Sequence, residues 1–296
     1  MAANISAKEV QALREKTGVG MMDCKKALVA NDGDMEKAIV YLREKGLAAS
    51  VKKSTRIAAE GVIAIYNENN TGVLVEVNAE TDFVAKNEKF IAFANNVALV
   101  VANDNPSDMD GLLNCKYPDS DMTVEDMRKE MVFVIGENIQ IRRFARIEGN
   151  ISSYNHGNGK IGVLAQFSSD ASSFGKNVCM QIASMSPRYL SREDVPADVL
   201  ESEKSILIAQ IKNDPKTANK PDQVIEKMVN GKIGKFYTEN CLLDQEYFID
   251  PDLTVGKFIE SNGDAKILSY IRFERGEGLQ KREDNFADEV AKMTQK

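Results

Sequence analysis

Residues 61–77 read GVIAIYNENNTGVLVEV. Two runs of β-branched and aliphatic residues, 61–66 and 72–77, flank the polar stretch 67–71, the pattern of a strand, a turn and a returning strand. Apolar residues at helical spacing follow over 83–101. The same series returns later as strand 144–152, polar turn 154–160, strand 161–167 and helix 174–185, and the Gly-Val-Leu triplets beginning at Gly72 and Gly162 mark the match. A hairpin with one helix cannot cover both faces of its own sheet, so two such units packed together form an α+β core. The second unit is interrupted by 195–236, where Leu200, Ile206, Leu207 and Ile211, a turn rich in Lys and Asn, and Val224, Ile225, Met228 and Ile233 predict an antiparallel helical hairpin. A strand over 267–274 and an amphipathic helix over 285–293 complete the expected order.

Upstream, Ser6 and Glu9 have the spacing of a capping box, and Val10 and Leu13 continue a helix as far as the loop 17–20. A second helix is expected over 21–29 and a third over 34–45, capped by Asp34 and stopped by Gly46. Three short helices bury little surface, so this bundle has modest stability. Residues 50–56, charged and weakly patterned, read as a linker. The expected organisation is a helical bundle over 1–55, a core unit over 56–143, and a second core unit over 144–194 and 237–280. The arm over 195–236 is inserted in the second unit, and a C-terminal helical module spans 281–296.

Bulk properties narrow the function classes. The longest apolar stretch, around 97–101, is far short of the roughly 20 residues a membrane helix needs. No signal-peptide or Arg-rich transit pattern precedes the first helix, so the expected location is the cytoplasm, and the sequons at Asn69 and Asn150 carry no weight. Four cysteines lie far apart with no Cys-x-x-Cys pair, which points to reduced, packed thiols rather than zinc or redox chemistry. The net charge of −7 is uneven: residues 1–56 carry 11 Lys and Arg against 7 Asp and Glu, and the rest carries 27 against 38. The basic lysines are interspersed with acids on expected helix faces, a pattern that does not favour direct nucleic-acid binding.

Chemistry is sparse. His156 is the single histidine, so no histidine pair is possible, and its place in a polar turn suits hydrogen bonding or partner contact better than catalysis. Gly18-x-Gly20 lacks the Gly-Lys-Ser/Thr ending of a phosphate loop and has no strand before it. Neither a cofactor nor a metal is expected. In Thr81-Asp82-Phe83-Val84 the residues alone favour a capped helix start with Phe83 turned into the core. Met21 and Met22 can fill a helix core, yet two adjacent helical residues cannot face one way, which frees at least one for a surface contact.

The blocks TGVGMMDCKKAL at 17–28 and EVNAETDFVAKN at 76–87 resemble the two signature motifs of elongation factor Ts, the guanine-nucleotide exchange factors of bacterial-type translation. The resemblance continues through IGENIQIRR at 135–143, YNHG at 154–157 and IRFERGEG at 271–278, and covers nearly the whole chain. Three short helices in about 45 residues already resemble a ubiquitin-associated domain; the family resemblance adds a partner, elongation factor Tu, bound with GDP or free of nucleotide, and implies no covalent chemistry. It reverses the reading of Phe83, which in that family wedges into the G domain of Tu near the magnesium and phosphate site, with Thr81, Asp82 and Val84 in the same turn. It also implies contacts by Met21 and Met22 on a G-domain helix, by Ile135, Gly136 and Glu137 near the phosphate loop, and by His156 on a later domain. For Ile135, Gly136 and Glu137 a plain helix end is the competing account. The chain departs from common family patterns at Ala79, Glu80 and Val134, and 103–123 matches nothing nameable. Two other classes stay open: an adaptor led by the bundle, and an enzyme working through His156. Self-association through the projecting helical arm is a further partner reading that the sequence leaves open.

Overall fold

The hairpin predicted from residues 61–77 forms as β1 (Glu60–Glu68) and β2 (Thr71–Ala79), antiparallel, with Asn67 opposite Gly72. The computed structural model describes residues 5–217 and 220–280. The helix expected over 285–293 lies outside them.

Ahead of the hairpin stand α1 (Ala7–Thr17), α2 (Met21–Ala30) and α3 (Met35–Lys53). The predicted capping box closes α1, with Ser6 Oγ accepting from Glu9 N–H and the Glu9 carboxylate accepting from Ser6 N–H. Asp34 Oδ1 accepts from the N–H groups of Glu36 and Lys37 at the start of α3. Gly46 does not stop that helix, however, and most of the expected linker is its last turn. A helical glycine is disfavoured by about 1 kcal/mol relative to alanine, and packing here overrides that preference. A Cβ on Gly46 would come within 3.2 Å of Phe133 Cβ, so the bare backbone lets α3 lie close against a later helix.

After β2, the single helix expected over 83–101 divides into α4 (Asp82–Ala85) and α5 (Glu88–Asp104). The break is Asn87, whose Oδ1 accepts from Lys89 N–H at 2.9 Å and starts a new helix. The stretch 103–123 holds α6 (Met109–Asn114), and α7 (Val124–Ile135) follows. The strand expected over 144–152 is two strands, β3 (Gln140–Glu148) and β4 (Asn150–His156). β3 pairs with β2, giving a sheet of order β1-β2-β3, whereas β4 opens the second sheet. Gly149 at φ 123 turns the chain from one sheet to the other. The remaining elements are β5 (Ile161–Phe167), α8 (Gly175–Met185), α9 (Ala197–Asn213), α10 (Asp222–Asn240), α11 (Val255–Ser261) and β6 (Ile267–Glu274). The second sheet has the order β4-β5-β6. The expected arm, α9 with α10, packs around its own cluster of Leu207, Ile211, Ile225, Val229 and Ile233.

The two sheets face each other. Along β2, Val73, Val75 and Val77 join α5 in one core, while Leu74 points the opposite way into a layer with Ile63 and Leu164. β5 repeats this, with Val163, Ala165 and Phe167 under α8 and Leu164 in the shared layer. Strands covered on both faces explain the continuous apolar runs in both copies of the repeat. The Gly-Val-Leu triplets mark this contact. A Cβ on Gly162 would lie 2.5 Å from Ile63 Cγ2, and one on Gly72 would lie 2.9 Å from Ile151 Cγ2. Because the obstructing atoms are methyls of β-branched side chains, Gly162→Ala is expected to destabilise the fold by about 1–3 kcal/mol. A denaturant midpoint equal to wild type would contradict this close approach.

Candidate partner-binding surface

Phe83 stands on the one-turn helix α4 directly after the central strand of the first sheet. Thr81, extended at φ −128, caps that turn by accepting Val84 N–H on its hydroxyl at 3.4 Å. Ala85 is buried and Val84 packs on the first core, so the turn is anchored from beneath. Phe83 takes the outward position and is 81% exposed. The core placement suggested by the residues alone is therefore not adopted, and the outward placement implied by the resemblance is. Asp82 Oδ2 accepts from Lys86 Nζ at 2.6 Å, and that contact lowers the Asp82 carboxyl below its ordinary value.

Glu137 lies behind the turn. Its Oε2 accepts from Glu80 N–H at 3.1 Å and Thr81 N–H at 3.0 Å, and its Oε1 from the Thr81 hydroxyl at 2.7 Å. Immediately before it, Gly136 ends α7 in the left-handed region at φ 89, donating its N–H to Val132 O. Gly136 is exposed, while Ile135 is half-buried against the first core. Sequence reasoning gave no role to two neighbours, Asn138 and Glu80, the latter noted only as a departure from common family patterns. Glu80 Oε1 accepts from Asn138 N–H at 2.6 Å, and buried Asn138 donates to the carbonyl of Arg56 at 2.8 Å. Both sit inside the quoted motif blocks, and that position was the available signal.

The bundle comes to the same region. Gly18 closes α1 at φ 68, and a Cβ there would lie 3.5 Å from Lys89 Nζ and 3.6 Å from Val134 Cγ1. The loop before Met21 therefore rests against the start of α5 and the end of α7. Cys24, Ala27 and Leu28 fill the bundle core from α2, and this leaves Met21 40% and Met22 65% exposed. Both methionines face out, where only one was required to. His156 is separate from this group. It is exposed, ends β4 rather than lying in the turn, and its Nδ1 stands 3.1 Å from Tyr154 Oη.

Among the described residues no group of three or more His, Cys, Asp or Glu side chains could hold a metal ion. Cys24, Cys179 and Cys241 are buried, and burial pushes the thiol of Cys179 up to about 12 and that of Cys241 up to about 11. Such thiols are protonated at neutral pH and poor nucleophiles. Among the described residues no helix is long and apolar enough to cross a membrane. The surface offers exposed apolar side chains on braced backbone, which suits protein contact.

Comparison with known proteins gives a consistent result. The family described as Elongation factor TS matches residues 80–277. Elongation factor Ts of Clostridium perfringens is 48% identical over 304 residues, covering 98% of this chain and 99% of its own length. That of Pediococcus pentosaceus is 47% identical over 294 residues, covering 98% of each chain. That of Syntrophotalea carbinolica is 46% identical, again over 98% of this chain.

Proposed function

This chain belongs to the elongation factor Ts family, which gives it a role in translation elongation, and from that premise we propose how it acts. It binds elongation factor Tu carrying GDP, weakens the hold on magnesium and the β-phosphate, and stabilises the empty form until GTP enters. Partner binding and nucleotide binding then oppose each other through one coupling free energy, and no covalent step is needed. The observation that carries this reading is the outward Phe83 on its anchored turn. Thr81, Asp82 and Val84 form that turn, Ile135, Gly136 and Glu137 lie beside it, Met21 and Met22 anchor the bundle on Tu, and His156 makes a separate contact.

A thousandfold acceleration of GDP release requires about 4 kcal/mol off the barrier. Burying one Phe supplies roughly 1.5–3 kcal/mol. Phe83 alone is therefore not sufficient, and the other segments share the work. The test is release of a fluorescent GDP analogue from bacterial elongation factor Tu with this chain at substoichiometric concentration. Multiple turnovers of accelerated release are expected. No acceleration, with Tu from the matching source, would sink the exchange reading and favour an adaptor led by the bundle.

A further inference from the structure

Two segments 57 residues apart are joined by carboxylates that reach across to each other's backbone. Glu137 takes the N–H groups of Glu80 and Thr81 together with the Thr81 hydroxyl, and Glu80 takes the N–H of Asn138 and, at 3.4 Å, Arg56 Nη1. Residues 80 and 81 lie just past the end of β2, where the ladder to β1 no longer supplies acceptors. Ionised oxygens bind such donors about twice as strongly as neutral ones. Asn138 extends the network to the carbonyls of Ser54 and Arg56 just after α3, and Lys53 Nζ reaches Val132 O in α7. The end of the bundle, the end of α7 and the Phe83 turn thus meet at one point.

We infer that Glu80 and Glu137 form a clasp that positions the Phe83 turn, so that Glu137 is a positioning residue acting through Phe83. This rests on the exchange reading above. An aromatic ring that is 81% exposed has little packing of its own to fix its direction, so its backbone must fix it. The cap from Thr81 and the anchors Val84 and Ala85 hold the turn from below, and the clasp holds its entry. Releasing the entry lets the turn sample more conformations, and ordering them on the partner then offsets part of the wedge's contribution.

The test is a double-mutant cycle on catalysed GDP release, read at saturating factor and at half-saturation, with thermal melting of each variant. Glu137→Ala is expected to lower the saturating rate about tenfold, equivalent to about 1.4 kcal/mol, with little change in the half-saturating concentration. Glu137→Gln, which keeps the shape and one acceptor oxygen, falls between, and it carries the cycle if Glu137→Ala melts below the assay temperature. Added to Phe83→Ala, either substitution should lower the rate by less than about twofold, because nothing remains to be positioned. Independent, multiplying losses would overturn the clasp, as would a Glu137→Ala rate equal to wild type, or a raised half-saturation point at an unchanged rate. Each of those leaves the exchange reading standing. No acceleration by wild type removes that reading, and the clasp's role with it.

Discussion

Phe83→Ala is expected to slow catalysed GDP release by roughly ten- to a hundredfold while leaving binding to elongation factor Tu in place. The size follows from the ring's burial free energy, about 1.5–3 kcal/mol, if it is realised mainly when the ring enters the partner during release. Each 1.36 kcal/mol lost from that stage costs about a factor of ten in rate. Folding is expected to be nearly indifferent, since the exposed side chain contributes little to the core. Thermal melting should match wild type within about 0.5 kcal/mol, the usual range for surface substitutions. Binding is expected to persist because the other proposed contacts, Met21, Met22 and the segment at Gly136, are untouched. Stopped-flow release of a fluorescent GDP analogue decides the matter, and rates equal to wild type would refute the wedge.

Glu76→Ala is expected to destabilise the fold by about 3–5 kcal/mol, the range for removing one partner of a buried ion pair. Glu76 is 0% exposed on the central strand of the first sheet. Its carboxylate accepts from Arg142 Nη1 at 3.1 Å, Arg143 Nε at 2.6 Å, Asn78 Nδ2 at 3.1 Å and Gly276 N–H at 2.8 Å. The last of these brings in the turn after β6, so one side chain ties the end of the second sheet to the first. Gly276 suits that approach: at φ 69, a Cβ on it would sit 2.3 Å from the Ala59 carbonyl oxygen.

The same site predicts a pH dependence. Burial by itself raises the Glu76 carboxyl, but the hydrogen bonds from Gly276 N–H, Asn78 and Arg143, with the charge of Arg143, outweigh it and hold the group below its ordinary value. A carboxyl depressed in the folded state stabilises fully above its unfolded value, about 4.3. That contribution is lost as the pH falls from there through the lower folded value. Wild type should therefore lose stability in acid faster than Glu76→Gln, and the gap between them should narrow with acidification. A constant gap from pH 7 to pH 3 in denaturant titrations would refute the assignment.

Much of this was legible in residue order. The turn chemistry of 67–71, the alternating and continuous apolar runs, the Ser6 and Asp34 caps and the spacing in the arm are local signals, and the elements they predict form. The Gly-Val-Leu repeat disclosed two related units without showing why glycine recurs, because its reason is an atom of the other sheet. The errors were of another kind. Gly46 reads locally as a stop, and only Phe133, far along the chain, explains why the helix continues. Residues 144–152 read as one strand because both halves favour extended backbone, and which sheet each half joins depends on partners that no local pattern names.

The candidate site divides in the same way. By themselves, the residues of the Phe83 turn established a capped helix start and left the ring's direction to a general preference for burial. Resemblance to a family pointed the other way. Tertiary structure decided it, since Val84 and Ala85 fill the space beneath the turn, Glu137 and Glu80 occupy its entry, and the ring has only the outward side left. Residue order determines which segments become helix or strand because those preferences act over a few neighbours. Which face a side chain presents, and which distant carboxylate braces it, is settled only when long-range packing closes.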